Sequence, residues 1–502
     1  MMNVARMIEP HPADHVALIF RNQETTYGQL RDETDRLRGG LAAQGVEVGD
    51  RVAILCGNNR YFVVSYLAVV GLGAIAVPLN PSSPAPEIER ELEVVRPVAV
   101  VVGPAVTGAW EDVDRSSLAS LRLVVRAEGD VGPDEVALAS LLESDPCPVV
   151  DVERDHVAVM MFTSGTAGSP RAAMLSHRNL ISNIEQDLTA RDHTADGDIV
   201  YGVLPMFHIF GLNVVLGVSL TVGATVLLVQ RFDPATAVQS IVQRGVTVVP
   251  GAPAMWVAFS QFDELPDDSF ASVRLALSGA ARLPTVVCDR MRERFGVMIN
   301  EGYGLTEAAP VVTSSAGLEY RPGSVGRLLV GQEMRLVGDD GEDVPVGDAG
   351  EIWVRGENVF LGYFDDPEAT ERVLVDGWLR TGDIGMVDGD GFLYLVDRAK
   401  DLVIVSGFNV FPAEVEEVLQ GHPAVREVGV VGVPHPHTGE AVKAFVVLAE
   451  GHDVDEDSLI DYACEYLARY KCPSKVIFVD QLPRNASGKL VRRELEGTII
   501  GA

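Results

Sequence analysis

Short runs rich in β-branched and apolar residues recur through the first three hundred positions, and segments with helical spacing lie between them. Residues 51–55 read RVAIL, 74–79 AIAVPL, 98–103 VAVVVG and 122–127 RLVVRA. The stretch YFVVSYLAVVGLG separates the first two as an apolar helix, and TYGQLRDETDRLRGGLAAQGV ahead of them has helical spacing and ends at glycine. Parallel strands need a crossover between them, most often a helix. The alternation therefore restricts the chain to a mainly parallel sheet covered by helices, an α/β body. It returns in TVVPGAP and in VRLAL, 273–277, just before Ser278-Gly279-Ala280-Ala281.

Near Ser324 the texture changes to short strands with Gly and Asp turns, the pattern of a small β-barrel or sandwich. From about Asp397 a last unit alternates helix AEVEEVLQGHP, strands VREVGVVGVP and KAFVVLAE, and helix SLIDYACEYLARY. The expected division is a body over 1–397, a junction at 398–400 and a small α+β domain over 401–502. With 502 residues, 47% of them hydrophobic, the chain can bury a core of this size.

The formal net charge of -32 argues against nucleic acid as a partner and against a broadly basic membrane-binding face. Any polyanionic ligand must be held by a few local cations and oriented backbone donors. The five cysteines are widely spaced without Cys-x-x-Cys, so neither a disulfide framework nor a zinc site is expected, and a cytoplasmic location is the simple reading. The first residues lack a signal-peptide core. Residues 209–230 carry no charge, but Gly211, Gly217 and Gly223 punctuate them, so a buried helix–turn–strand is expected instead of a membrane span. Peripheral membrane contact and a homodimer both stay open.

Several short stretches carry chemistry. FTSGTAGSPRAAMLSH, 162–177, gathers Thr163, Ser164, Gly165, Thr166, Gly168 and Ser169 ahead of one cation, Arg171. Hydroxyls and backbone N–H groups can converge on an anion there, although this is not a Walker loop and a bare polar turn is the alternative. In GYGLTE, 302–307, a glycine-flanked tyrosine can lie along a planar base, while Thr306 and Glu307 offer oxygens of the kind magnesium shares with phosphates. WLRTGD ends in Asp383, able to accept from both hydroxyls of a ribose. DRAKD places Arg398 and Lys400 among acids, and PRNASGKL presents Lys489 on a Gly-Ser turn. Each is an ordinary turn when taken alone.

Their order is far more specific. TSGTAGSPR, LPMFHIFG, SGAA, GYGLTE, WLRTGD, DRAKD…GFNVFPAEVE and PRNASGK, with TYGQL…GDRVAIL…GAIAVPLNP at the start, resemble the adenylate-forming superfamily over nearly the whole chain. Within it the acyl-CoA synthetases are the best match. The resemblance implies two α/β subdomains plus a small β-barrel, with a mobile α+β C-terminal domain, and a reaction that uses ATP, Mg2+ and coenzyme A. It implies that Thr163–Arg171 closes over the β- and γ-phosphates and that Gly279, Ala280, Ala281 and Tyr303 frame the adenine. Asp383 and Arg398 would hold the ribose, Glu307 the magnesium, and Thr306 would lie near the α-phosphate. Lys489 would bridge the reacting groups, His208 would sit by the acyl-adenylate, Lys400 would be the hinge, and Gly407 would contact coenzyme A. Phe207, Phe210, Gly211, Val214 and Gly304 would line the acyl pocket.

The chain departs from the family pattern at two places, with Ala167 for a hydroxyl residue and Pro170-Arg171-Ala172 for Pro-Lys-Gly. Arginine keeps the charge and can fork onto two oxygens. Apolar Phe210, Leu212, Val214 and Val215 follow LPMFH with no carboxylate to pair an amino group, so a hydrophobic acid, a fatty acid foremost, is expected as substrate. Arg282 would favour a dicarboxylate only if it pointed inward. Two alternatives remain: an acyl-AMP ligase with another acceptor, and a silent acyl- or nucleotide-binding protein.

Overall fold

Local signals set where the elements begin. Thr26 caps the Tyr27–Ala43 helix by accepting from the Gln29 N–H, and the Gln29 side chain accepts from the Thr26 N–H in return. Two donors that the helix itself cannot use are thereby satisfied. Ser176 and Asn179 repeat the arrangement at the start of the His177–Asp187 helix. Ile75–Pro78 and Ala99–Val102 are buried throughout, as strands covered on both faces must be.

The computed structural model describes the chain except residues 1, 164–169, 263, 339, 399–402, 406–407, 411, 436–438, 468, 486–489 and 498–502. A seven-stranded sheet runs in the order Val136–Ala137, Leu123–Arg126, Ala99–Val102, Arg51–Leu55, Ile75–Pro78, Val157–Thr163, Arg171–Ser176. Its neighbours are parallel except the last pair. The parallel part of a second sheet is Val16–Phe20, Thr225–Leu228, Ile199–Gly202, Val248–Gly251, Leu275–Ser278, Ile299–Gly304. At Ile299–Gly304 it turns antiparallel, pairing with Val311–Ser314 and continuing through Ser324–Leu328, Phe392–Arg398, Trp378–Val387, Ala349–Gly356 and Gln332–Val337. The antiparallel unit thus grows out of the last parallel strand.

One apolar core runs between the two large sheets and includes Tyr27, Tyr66, Trp256 and Phe259. The Tyr27 hydroxyl finds a partner inside it, donating to the Ala224 carbonyl at 2.8 Å. Beyond residue 402 a five-stranded sheet carries the helices Pro412–Gln420 and Glu456–Tyr466 on a core of its own. Side-chain contacts tie this small unit to the body. Arg282 is ion-paired with Glu417, and the Thr285 hydroxyl donates to the same carboxylate at 3.4 Å.

The uncharged stretch 209–230 folds as a buried helix, a left-handed turn at Gly223 (φ 85°) and the strand Thr225–Leu228. Its helix is wider than expected: Phe210–Val218 is a π-helix. No helix among the described residues is long and apolar enough to cross a membrane. The cysteine expectation needs one correction. Cys464 and Cys472 form a disulfide with Cα atoms 5.5 Å apart, because the chain turns back after the Glu456–Tyr466 helix.

Candidate active site

The hairpin of Val157–Thr163 and Arg171–Ser176 places Thr163 directly opposite Arg171. The intervening Ser164, Gly165, Thr166 and Gly168 lie outside the described residues. Arg171 is half-buried, donates from Nε to Asp366 Oδ2 at 3.0 Å and lies 5.8 Å over the Tyr363 ring. The Ala369 N–H, and then Arg171, hold the Asp366 carboxyl below the usual range despite some desolvation. Ala172 sits inside the strand with its carbonyl accepting from the Phe364 N–H at 2.8 Å. An extended position needs no glycine, so the departure at Ala172 carries no backbone penalty.

GYGLTE closes the strand Ile299–Gly304. Buried Tyr303 donates its hydroxyl to Asp383 Oδ2 at 2.8 Å. Gly304 is exposed at the strand end, and Thr306–Ala308 forms one 3-10 turn. That turn presents Glu307, half-buried, whose Oε1 accepts from the Tyr363 hydroxyl at 2.7 Å. Burial, and then the Glu307 charge, push the Tyr363 phenol well above its ordinary value, so it remains a neutral donor. Asp383 stands opposite Arg398 in the antiparallel ladder of Trp378–Val387 and Phe392–Arg398, so the two expected ribose contacts are cross-strand neighbours.

On the other side, Ile199–Gly202 runs into the LPMFH loop. Buried Asn58 holds this loop by donating to the Gly202 and Leu204 carbonyls and accepting from the Met206 N–H. Phe207, His208 and Phe210 are half-buried, and His208 Nδ1 accepts from the Phe210 N–H at 3.4 Å. The π-helix then packs Gly211 on the preceding loop, where a Cβ would stand 2.2 Å from the Pro205 oxygen. π-helical turns widen a helix and recur at functional sites. Val214 is buried on the same element. Asn213, also buried, donates to the Leu180 and Ala309 carbonyls, joining this wall to the segment that carries Glu307.

The two sides meet at the SGAA turn after Leu275–Ser278. The Phe210 ring lies 3.1 Å from where a Gly279 Cβ would stand, so a side chain there would push against the ring. Ala280 holds a left-handed backbone (φ 71°), a strained conformation for a residue with a Cβ, and Ala281 follows half-buried. Ser278 is buried, with its hydroxyl lacking a partner among the described residues. Such a group is satisfied by a ligand or water. Arg282, next in line, is ion-paired with Glu417.

The structure therefore gathers Thr163, Arg171, Gly279–Ala281, Tyr303, Thr306, Glu307, Asp383 and the 207–214 segment at the carboxyl ends of parallel strands and the adjoining antiparallel ladder. Ligands of open α/β sheets bind at such strand ends. Lys489, Lys400 and Gly407 lie outside the described residues, as does the side chain of Arg398. Sequence reasoning missed Tyr363, Asp366, Asn58 and Asn213. Only Asp366, a helix N-cap before Pro367, had a local signal. The donor set suits a magnesium-bound nucleotide triphosphate: an oriented carboxylate, a guanidinium on a neighbouring strand and an orphaned buried hydroxyl.

Comparison with known proteins agrees. The family model "AMP-binding enzyme" matches residues 4–364 and "AMP-binding enzyme C-terminal domain" matches 414–489. A feruloyl-CoA synthase of Amycolatopsis sp is 38% identical over 94% of this chain and 93% of its own. A long-chain-fatty-acid–CoA ligase of Bacillus subtilis (strain 168) is 33% identical over 96% and 91%. The crystal structure of ATP-bound MatB from Rhodopseudomonas palustris superposes with a TM-score of 0.92 at 32% identity, over 100% of this chain and 99% of that one. With both family models matched in order and relatives of this kind aligned end to end, the chain belongs to the AMP-binding enzyme family, as an adenylate-forming acyl-CoA synthetase that works with ATP, Mg2+ and coenzyme A.

Proposed function

We propose that the acid it activates is a hydrophobic monocarboxylate, aryl or fatty. The observation that carries this is the wall where the Phe210 ring packs beside Gly279, with no charged side chain along the π-helix Phe210–Val218. Arg282, which could pair a second carboxylate, is engaged by Glu417 instead. A dicarboxylate or an amino acid would leave a charge without a partner in an apolar site, a large penalty.

In this reading a substrate carboxylate oxygen attacks the α-phosphorus of ATP, and the bond to pyrophosphate breaks. The coenzyme A thiol then loses its proton and attacks the acyl carbon, releasing AMP. Two anions must meet in the first step, so the chain's part is to neutralise and align them. Lys489 bridges the carboxylate and the α-phosphate, with Thr306 beside it. Arg171 and the Thr163, Ser164, Gly165, Thr166 and Gly168 loop hold the outer phosphates. Glu307 is the residue that would hold magnesium, which supplies charge neutralisation at the phosphates. Tyr303 and Gly279–Ala281 take the adenine, Asp383 and Arg398 the ribose, and His208 stands by the carboxylate. Residues 398–400 serve as the hinge on which the small domain turns, and Gly407 meets coenzyme A.

AMP and pyrophosphate release across a panel of acids, with and without coenzyme A, tests the proposal. The panel runs from hydroxycinnamates such as ferulate, through benzoates and fatty acids, to malonate and amino acids. Turnover with one hydrophobic class that rises sharply with coenzyme A supports the reading. Preference for malonate or an amino acid overturns it.

A further inference from the structure

Tyr363 and Asp366 bracket a short turn that touches both charged groups of the phosphate side. Tyr363 donates to Glu307 at 2.7 Å, while Asp366 accepts from Arg171 at 3.0 Å. The turn itself is fastened at several points. The Leu361 N–H donates to the Met174 carbonyl, the Met174 N–H to the Gly362 carbonyl and the Phe364 N–H to the Ala172 carbonyl, so the turn runs as an extra edge along the Arg171–Ser176 strand. The Phe360 N–H donates to the Glu307 carbonyl at 2.9 Å. Thr370 accepts from the Tyr363 N–H and donates to the Asp366 carbonyl, closing the turn internally. The Phe360 ring packs edge-on against Tyr363 at 5.0 Å.

We propose that Tyr363 and Asp366 are positioning residues for adenylation, setting the Glu307 carboxylate for the metal and the Arg171 guanidinium for the phosphates from one rigid turn. The proposal rests on the reading that Glu307 and Arg171 face magnesium and the triphosphate. It accounts for the arginine at 171. Its Nε is spent on Asp366, and no described residue takes its two terminal nitrogens, which leaves a fork for phosphate oxygens. A lysine has one charged centre and would have to share it between Asp366 and the nucleotide. On the other side, a neutral phenol fixes one oxygen of Glu307 without competing for the charge. Outer partners of this kind orient metal ligands, and their loss typically weakens metal binding about 10-fold or more.

The test is equilibrium binding of a non-hydrolysable ATP analogue by calorimetry, with and without Mg2+, alongside turnover. Tyr363→Phe removes only the hydroxyl. It is expected to raise the dissociation constant about 10-fold in Mg2+ and leave it unchanged without metal. Asp366→Asn keeps an acceptor for the Ala369 N–H but presents an amide to Arg171. It is expected to weaken binding about fivefold whether or not metal is present. Thermal melts identify any variant that fails to fold, and Thr370→Ser, which keeps the hydroxyl, reports on the turn alone and should bind as the parent does. Equal weakening by Tyr363→Phe with and without Mg2+, or none, overturns the proposal. Glu307→Gln separates it from the reading beneath it. If that variant keeps its Mg2+-dependent gain in affinity, the metal assignment fails and the proposal falls with it. If it loses the gain while Tyr363→Phe keeps it, only the positioning role is wrong.

Discussion

Tyr303 donates its hydroxyl to Asp383 at 2.8 Å, joining GYGLTE to WLRTGD across 80 residues of sequence. The same Asp383 lies opposite Arg398 in the neighbouring ladder. In the ribose-binding role proposed for it, a carboxylate fixed in this way is oriented before the ligand arrives, which removes part of the ordering cost of binding.

Asp383→Ala should therefore lower kcat/KM for ATP by about 100-fold, through loss of charge-assisted hydrogen bonds. Tyr303→Phe should cost only about 2–5-fold, because it frees the carboxylate without removing it. Initial rates of pyrophosphate release at varied ATP check both. Equal losses would mean that orientation matters as much as the charge.

Asn213 satisfies two backbone carbonyls from within the π-helix. Asn213→Leu leaves the Leu180 and Ala309 oxygens buried without those donors and should destabilise the protein by about 2–3 kcal/mol. Urea unfolding measures this. KM for the acid should rise as well, since the wall and the Glu307 segment lose their link.

Arg282 and Glu417 join the small domain to the body while both are partly exposed. Such a pair is worth up to about 1 kcal/mol, or roughly fivefold in a conformational equilibrium. Glu417→Arg should shift the ratio of adenylate formation to thioester formation by no more than about that factor. The exchanged pair Arg282→Glu with Glu417→Arg should restore it. Single-turnover rates of the two half-reactions give the ratio, and failure of the exchange would remove the ion pair from the account of domain docking.

Glu301 sits at the end of the same region, and burial pushes its carboxyl up to about 7 from an ordinary 4.5, opposed by the Leu283 N–H and Arg282. The folded protein thus binds more protons than the unfolded chain between these values. The group's stabilising share is complete below about 4.5 and is lost as pH rises through about 7. Glu301→Gln should raise the melting temperature by a few degrees at pH 8 and leave it unchanged at pH 5. The same gain at both would show that packing, not titration, is responsible.

Much of this site was legible in the chain because its residues come in short stretches whose chemistry is local. Thr163 and Arg171 flank one loop, Tyr303 and Glu307 share one turn, and capped helices between β-branched runs announce a parallel sheet. Asp383 and Arg398 were likewise readable one at a time, although their facing register was not.

What the sequence by itself determined is the family, the α/β body and the identity of most charged groups, since strand and helix periodicity and turn chemistry act over a few neighbours. Only the tertiary structure decided which group meets which. It brought Tyr363 to Glu307 across 56 residues, turned Arg282 to Glu417, closed Cys464 onto Cys472 and widened Phe210–Val218 into a π-helix tied by Asn213. These depend on strand order and on buried polar groups seeking partners in a dense interior, and a hydrogen bond between distant segments leaves no periodic trace in either one.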